Sequence, residues 1–199
     1  RMDRDGKNQR RLSANYLMDF TPSVLTDGRI VYSRWEYVDR PACPIQSLWA
    51  INPDGTALSG FYGNRVISPG TFMHARAIPG TPAVLATATN HNGPCRGAIV
   101  RIDPSYGANA PKSVTNLTPE LDYDTHQWGG GGAFGNGMLN NPETRAKMLY
   151  EKPFPVDESR YLVSKAGAIQ LRDCAGNAAT LLESDDEMGF YNAIPIRAM

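Results

Sequence analysis

Short strand-like segments separated by turn residues follow one another along most of the chain. The clearest hairpin signal is Asp27-Gly28, flanked by "DFTPSVLT" and "RIVYSRWE". The segment "TFMHARAIPGTPAVLATAT" repeats the arrangement around Pro79-Gly80, and "LYEKPFPVDESRYLVSK" repeats it around residues 157–159. A helix is predicted only at "PETRAKML", where Pro142 would occupy the first helical position. The pattern therefore predicts an all-β protein.

A second kind of hairpin recurs between the first, built as strand, Asp or Asn, glycine-containing turn and strand. Its turn residues are Asp3, Asn52, Asp103 and Asp173. The first three recur about every 50 residues, and the last interval is longer by about 20. Two hairpins in each period give four short strands, a unit that favours a propeller over a sandwich or barrel. We therefore interpret residues 1–199 as a single β-propeller segment.

The repeats predict about three to four four-stranded blades: half a blade, three whole blades and one more inner strand at "GFYNAIPIR". Complete rings usually have 4 to 8 blades, so we expect part of a larger ring and of a longer protein. The long last interval predicts one Gly-rich insertion between blades, residues 119–146. It contains a literal G-x-G-x-x-G at Gly130, Gly132 and Gly135, but neither a preceding apolar strand nor a following helix, so a nucleotide site is not predicted.

Composition narrows the functional classes. The chain has 20 basic and 20 acidic residues, and this balance argues against a nucleic-acid partner. No run of 18 apolar residues is present, so no membrane span is expected. The 19 glycines and 15 prolines suit a loop-rich β protein.

Particular motifs carry a family resemblance. "MDRDGKNQRRLS" and "DFTPSVLTDGRIVYSRWE" resemble the propeller repeat of TolB-like proteins. A narrower resemblance, to the propeller region of hydrazine synthase alpha subunit-like proteins, runs through the segments "YSRWEYVDR", "SLWAINPDGT", "NHNGPCRGAIVRIDPSYG", "PFPVDESRYLVSK" and "GFYNAIPIR". The fold that both imply is the propeller.

The narrower resemblance also implies a function and a location. Such proteins are extracytoplasmic, in the periplasm or an equivalent compartment, and carry haem c after the propeller through C-x-x-C-H motifs. This chain has no such motif, since its cysteines stand at 43, 95 and 174. The implied role is a non-catalytic scaffold of an oxidoreductase that contacts other domains or subunits, with haem c elsewhere. The alternative is a TolB-like module that binds a protein, peptide or glycan without redox chemistry.

The loop "TNHNGPCRG" offers the first candidate chemistry. His91 and Cys95 could share a zinc or copper ion, with His74 as a third ligand if the loops converge. That set would make the chain itself a metal-dependent enzyme. A lone His-x-x-x-Cys lacks the paired short spacings of zinc sites, so a polar loop at a propeller face is the competing interpretation.

A second candidate surface combines charged and aromatic residues. Its members are Arg34, Trp35, Glu36 and Asp39, with Asn92 and Arg96 from the other loop. Alternation along a strand places Arg34 and Glu36 on one face and Trp35 on the other. They could form a rim for a ligand or partner, or an ion-paired strand end with its aromatic residues packed between blades.

Two further hypotheses concern loops. Asp122, Asp124 and His126 would share one face of an extended segment and could bind a divalent ion, or could lie in an irregular loop. Cys43 and Cys95 occupy equivalent loops one repeat apart, so a disulfide is predicted in an oxidising compartment, whereas three free thiols are expected in a reducing one.

Overall fold

The computed structural model of the protein describes residues 1–38, 45–67, 69–89, 91, 95–121, 149–185 and 188–196. Its described part contains a twelve-stranded sheet and two short 3₁₀ helices, Pro104–Tyr106 and Pro111–Ser113. The strands are β1 (Met18–Val24), β2 (Ile30–Trp35), β3 (Gln46–Ile51), β4 (Ser59–Tyr62), β5 (Thr71–Ala77), β6 (Val84–Thr89), β7 (Gly97–Ile102), β8 (Val114–Asn116), β9 (Tyr150–Pro155), β10 (Arg160–Lys165), β11 (Ala168–Asp173) and β12 (Ala178–Leu182).

The twelve strands divide into three antiparallel meanders of four strands each. Blade 1 is β1–β4, blade 2 is β5–β8 and blade 3 is β9–β12. Among the described residues, strand pairing between blades is limited to one residue pair at each junction: Gln46 with Thr71, and Gly97 with Tyr150. The three blades do not close into a ring. The all-β propeller segment predicted from the hairpin repeat is therefore confirmed.

Blade stacking forms the core. One buried cluster joins blades 1 and 2 and contains Val31, Leu48, Phe72, Val84 and Val100 among others. A second cluster joins blades 2 and 3 and includes Leu85, Ile99, Leu149, Tyr161 and Val163. Every residue of β6 is buried, because alternate side chains of this strand enter the two clusters.

The turns at the blade ends repeat a small set of side-chain contacts. The Asp173 carboxylate accepts hydrogen bonds from the backbone N–H groups of Ala175 and Asn177, at 2.9 Å each, and from the Asn177 side chain. Asp27 pairs with Arg29 and Asp157 with Arg160 across the other kind of turn, at 2.8 and 2.7 Å. These local bonds explain why Asp and Gly recur at the turns between strands in the sequence.

The ends of the chain differ from the expected strands. The predicted inner strand "GFYNAIPIR" is wrong over residues 189–196, where no strand forms and the Phe190 N–H donates to the Gly167 carbonyl at 2.6 Å. An inner strand pairs with the second strand of its own blade, and the described residues supply no such partner. At the other end, residues 1–10 fold back through an Arg10 N–H to Arg1 carbonyl bond of 2.7 Å without forming a strand.

Two predicted features fall almost entirely outside the described residues. They are the insertion at 119–146 and the helix at 142–149, which overlap the undescribed range 122–148. Within the described part of the chain, no helix has the length and apolar character needed to cross a membrane.

A single glycine should be essential where β7 pairs with β6. A Cβ on Gly97 would lie 1.9 Å from the Ala88 carbonyl oxygen, a backbone atom that cannot move without breaking the strand pair. We expect Gly97→Ala to lower the free energy of unfolding by about 3 kcal/mol. Gly60→Ala is the matched control, because its nearest neighbour would lie 4.0 Å away. Urea denaturation should show the loss for Gly97→Ala alone; equal stability of the two variants would contradict this packing.

Candidate functional site

The first strand of each blade lines a shared cavity, here called the inner cavity. It has a volume of about 370 Å³ and is lined by Thr21, Pro22, His74, Arg76, Lys152, Pro153 and Asn192. These residues come from β1, β5, β9 and the C-terminal segment 188–196. The inner cavity therefore lies where all three blades meet.

Each contributing segment places a left-handed, non-glycine residue at this cavity. The φ angles are +47° at Thr21, +58° at His74, +54° at Lys152 and +56° at Asn192. The pairing register of β1 with β2 shifts between Phe20 and Ser23, and that of β5 with β6 shifts between Met73 and Arg76. β-Bulges of this kind redirect a side chain out of the normal alternation. The bulges therefore direct equivalent residues toward one place.

Hydrogen bonds connect the inner strands of blades 1 and 2 at the bulge. The backbone N–H of His74 donates to Thr21 Oγ1 at 3.1 Å, and the Ser23 hydroxyl donates to the Ala75 carbonyl at 2.6 Å. The His74 ring is fixed through Nδ1, which lies 3.3 Å from Thr87 Oγ1. The two strands thus hold the lining residues in a defined arrangement.

The electrostatic character of the inner cavity is cationic. Burial, and then the nearby charges of Lys152 and Arg76, lower the pKa of His74 to about 4. None of the described residues that line the cavity is acidic. The imidazole is therefore neutral at pH 7, and the positive charge comes from Arg76 and Lys152.

The predicted rim residues near the end of β2 make internal contacts instead. The buried guanidinium of Arg34 pairs with Glu36 at 2.7 Å and with Asp19 at 3.7 Å, and it stacks 5.4 Å from the Trp49 ring. Arg34 also donates to the Ala14 carbonyl at 3.4 Å. These partners occupy Arg34 and Glu36 within blade 1 and the segment before it.

Trp35 joins blade 1 to the loop after β6. Its ring packs edge-on against Tyr37 at 5.2 Å and against His91 at 4.8 Å between centroids. The Gln46 side chain lies 3.0 Å from His91 Nδ1 and donates to the His91 carbonyl at 3.2 Å. His91 is therefore held by stacking and hydrogen bonding, and burial lowers its pKa.

The three predicted metal ligands do not come together. His74 lies at the inner cavity, His91 packs on Trp35, and Cys95 is exposed. Across the described ranges, no three His, Cys, Asp or Glu side chains are grouped closely enough to hold a metal ion. The bulge in β5 directs His74 to the inner cavity, whereas His91 and Cys95 lie in the loop between β6 and β7.

Arg96 connects blade 2 to the inner strand of blade 3. Its guanidinium pairs with Glu151 at 2.8 Å and lies 5.7 Å from the centre of the Tyr191 ring. The pair also neutralises Glu151, the residue immediately before Lys152 in β9. Arg96 is thus placed between blades and not on an open rim.

A polar network at the seam of blades 2 and 3, centred on the buried Tyr150, was not predicted from the sequence. The Tyr150 hydroxyl accepts hydrogen bonds from Lys165 at 2.8 Å and Arg172 at 2.7 Å, and it donates to the Glu120 carboxylate. Burial, then the bond to Glu120, raises the pKa of Tyr150, and burial lowers that of Lys165. The members are scattered over four segments, so no local motif signals them.

Several predicted residues lie outside the described part of the chain. They are Asp39, Cys43, Asn92, Asp122, Asp124 and His126. The disulfide between Cys43 and Cys95 and the divalent-ion hypothesis stay predictions. The loops that contain them nevertheless leave from strand ends at one edge of the blades: after β2, after β6 and after β8. This edge is here called the loop face.

Stacked four-stranded blades around an inner cavity define the class of this protein as a β-propeller segment. No protein-family model matches the chain, and no curated protein sequence matches it. Among solved structures, the chain is similar to hydrazine synthase of Kuenenia stuttgartiensis, with a TM-score of 0.62 and 17% sequence identity.

The similarity covers very different shares of the two chains. It covers 91% of this chain but only 21% of the hydrazine synthase chain. At this level of identity the likeness establishes the fold alone. Because no family model matches the chain, the resemblance to TolB-like proteins stays a prediction.

The lowered pKa of His74 predicts a pH-dependent stability. Between pH 6.5 and about 4 the unfolded chain binds a proton that the folded protein does not, so stability falls as pH falls through this window. The loss attributable to His74 should be about 2 kcal/mol between pH 7.5 and 4.5, allowing for screening by water in the cavity.

His74→Asn removes the titrating ring and keeps a residue that tolerates positive φ. Urea denaturation as a function of pH should therefore give a shallower pH dependence for His74→Asn than for the unaltered protein. Parallel curves for the two proteins would show that His74 titrates normally in the folded state.

Proposed function

We propose that this chain is the propeller scaffold of a larger, extracytoplasmic protein related to hydrazine synthase alpha subunits. The supporting observation is the structural similarity, which spans 91% of this chain but 21% of the hydrazine synthase chain. A segment of that proportion is one component of a larger architecture. In this role, the loop face holds other domains or subunits in position.

The contacts of the charged residues near the loop face fit a scaffold. Arg34 and Arg96 each pair with a carboxylate of the same chain, at 2.7 and 2.8 Å respectively. Side chains that are already paired rigidify the blades and are poorly suited to substrate chemistry. We therefore assign no catalytic residue to this chain.

Redox chemistry, in this proposal, belongs to other parts of the protein. The chain has no C-x-x-C-H motif for haem c, so its own residues do not fit a covalently attached haem. Its contribution would be to position the haem-bearing domains and to shape access to them. The resemblance of the sequence segments to hydrazine synthase alpha subunit-like propellers supports this assignment.

The second candidate is a binding module without redox chemistry. The inner cavity favours it, because about 370 Å³ lined by polar and cationic side chains is within the size range of small-ligand sites. In this case the propeller would bind its ligand directly, and no haem domain would be associated with it.

Visible absorption of the full-length protein, purified from its natural host, separates the two candidates. The scaffold proposal predicts a Soret band and α and β bands that sharpen on reduction, because c-type haem domains accompany the propeller. The 199-residue chain expressed alone is the control and should show no such bands, since it lacks the attachment motif. A full-length protein with no absorption above the aromatic peak would contradict the redox assignment and favour the binding module.

A further inference from the structure

The inner cavity contains two cations without acidic partners. Arg76 and Lys152 form no ion pair with any carboxylate in the described ranges, and Lys152 Nζ lies 6.0 Å from the centre of the Tyr191 ring. Both residues are half-buried, and both charges act on the His74 ring between them. Like charges held in a partly buried site repel each other, so this arrangement stabilises an anion more than it stabilises the empty cavity.

The backbone at the inner cavity is strained in a repeated way. Thr21, His74 and Lys152 adopt left-handed φ angles at the bulges of successive inner strands, and Asn192 does so in the segment that follows. Such conformations cost on the order of 1–3 kcal/mol each for residues other than glycine and are concentrated at functional sites. A β-branched threonine is especially unsuited to this region. The strain has a common result, which is that all four residues line the same cavity.

The hydrogen-bonding groups at the cavity are mostly donors. Thr21 Oγ1 already accepts the His74 N–H, so its hydroxyl proton is available to a ligand. In the tautomer in which Thr87 donates to Nδ1 of His74, the imidazole presents Nε2–H as a second donor. The Asn192 amide adds a third, and Pro22 and Pro153 complete the lining.

We propose that the inner cavity is a binding site for a small oxyanion, in which Arg76 and Lys152 engage a carboxylate or phosphate group. The planar guanidinium of Arg76 matches the two oxygens of such a group, and the Lys152 ammonium supplies a point charge. Thr21, His74 and Asn192 donate hydrogen bonds to the remaining oxygens. The site is independent of the scaffold role proposed above.

Titration calorimetry on the intact protein tests the proposal, with inorganic phosphate and malonate as separate probes. Ionic strength is held constant with sodium chloride, so that general screening does not imitate binding. We expect saturable binding of at least one of the two probes. Phosphate alone would identify a phosphate-selective site, malonate alone a carboxylate-selective site, and saturable binding of neither would overturn the proposal.

Three variants locate the binding. Arg76→Gln and Lys152→Asn should each weaken the bound probe about tenfold or more, since each removes one of the two charges. Asn at position 152 tolerates the left-handed backbone. Arg4→Gln is the matched control, because Arg4 is exposed and forms no ion pair with a described residue. An equal loss in Arg4→Gln would show a response to net charge and would overturn the proposal.

A measurement on the unaltered protein covers the case in which a cavity variant fails to fold. Lysine acetylation is followed by mass spectrometry with and without the probe, comparing Lys152 with the exposed Lys112. Bound anion should slow acetylation of Lys152 severalfold and leave Lys112 unchanged. Equal rates at Lys152 with and without a saturating probe would contradict binding in the inner cavity.

Discussion

The stacking of blade 2 between its two neighbours is the constraint on which the rest of the structure depends. A four-stranded sheet has two faces, and both faces of blade 2 are apolar, so each must be covered. Val84 and Ala86 of β6 pack toward blade 1, and Leu85 packs toward blade 3. Without both neighbours, this strand would expose part of its apolar surface to water. The blades are therefore a cooperative stack and not three separate hairpin sheets.

Stacking in turn explains why polar groups are so often found at the seams. Where two blades meet, buried polar atoms need partners, and at each seam the opposite blade supplies one. Ser23 bonds to Ala75 across one seam, and the Tyr150 hydroxyl of blade 3 bonds across the other to Glu120, which follows β8 of blade 2. The inner cavity is different, since Arg76 and Lys152 face it without an acidic partner in the described ranges. The lack of an acidic partner for both cations is what distinguishes the inner cavity from these seams.

Local signals in the sequence were sufficient for the fold. Asp27-Gly28 and Asp173 indicate turns, and the hydrogen bonds of these turns join residues only a few positions apart. Each hairpin could therefore be predicted from its own short segment. The four-strand period then indicated blades. The strand expected at residues 189–197 failed because pairing depends on a partner strand, and a local pattern cannot report whether that partner exists.

The candidate site was much less accessible to sequence analysis. The sequence pattern places Arg34 near a strand end, but its partners Asp19 and Trp49 lie on other strands. The bulge residues with positive φ are not glycines, so residue type does not reveal their backbone conformation. The one local feature that Thr21 and Lys152 share is a proline at the next position. The imidazole of His74 makes it a candidate metal ligand in the sequence, whereas its position in the structure depends on a register shift between β5 and β6. Tertiary pairing, and not residue type, decides which side chains meet.

Hydrogen exchange of backbone amides tests the central claim that both faces of blade 2 are buried against the neighbouring blades. The amides of β6, residues 84–89, should be the slowest to exchange and should report global unfolding, because both faces of this strand are buried. The amides of β12, residues 178–182, should exchange much faster, since every side chain of that strand is exposed. Exchange of β6 at the rate of β12 would contradict the stacked arrangement and the account built on it.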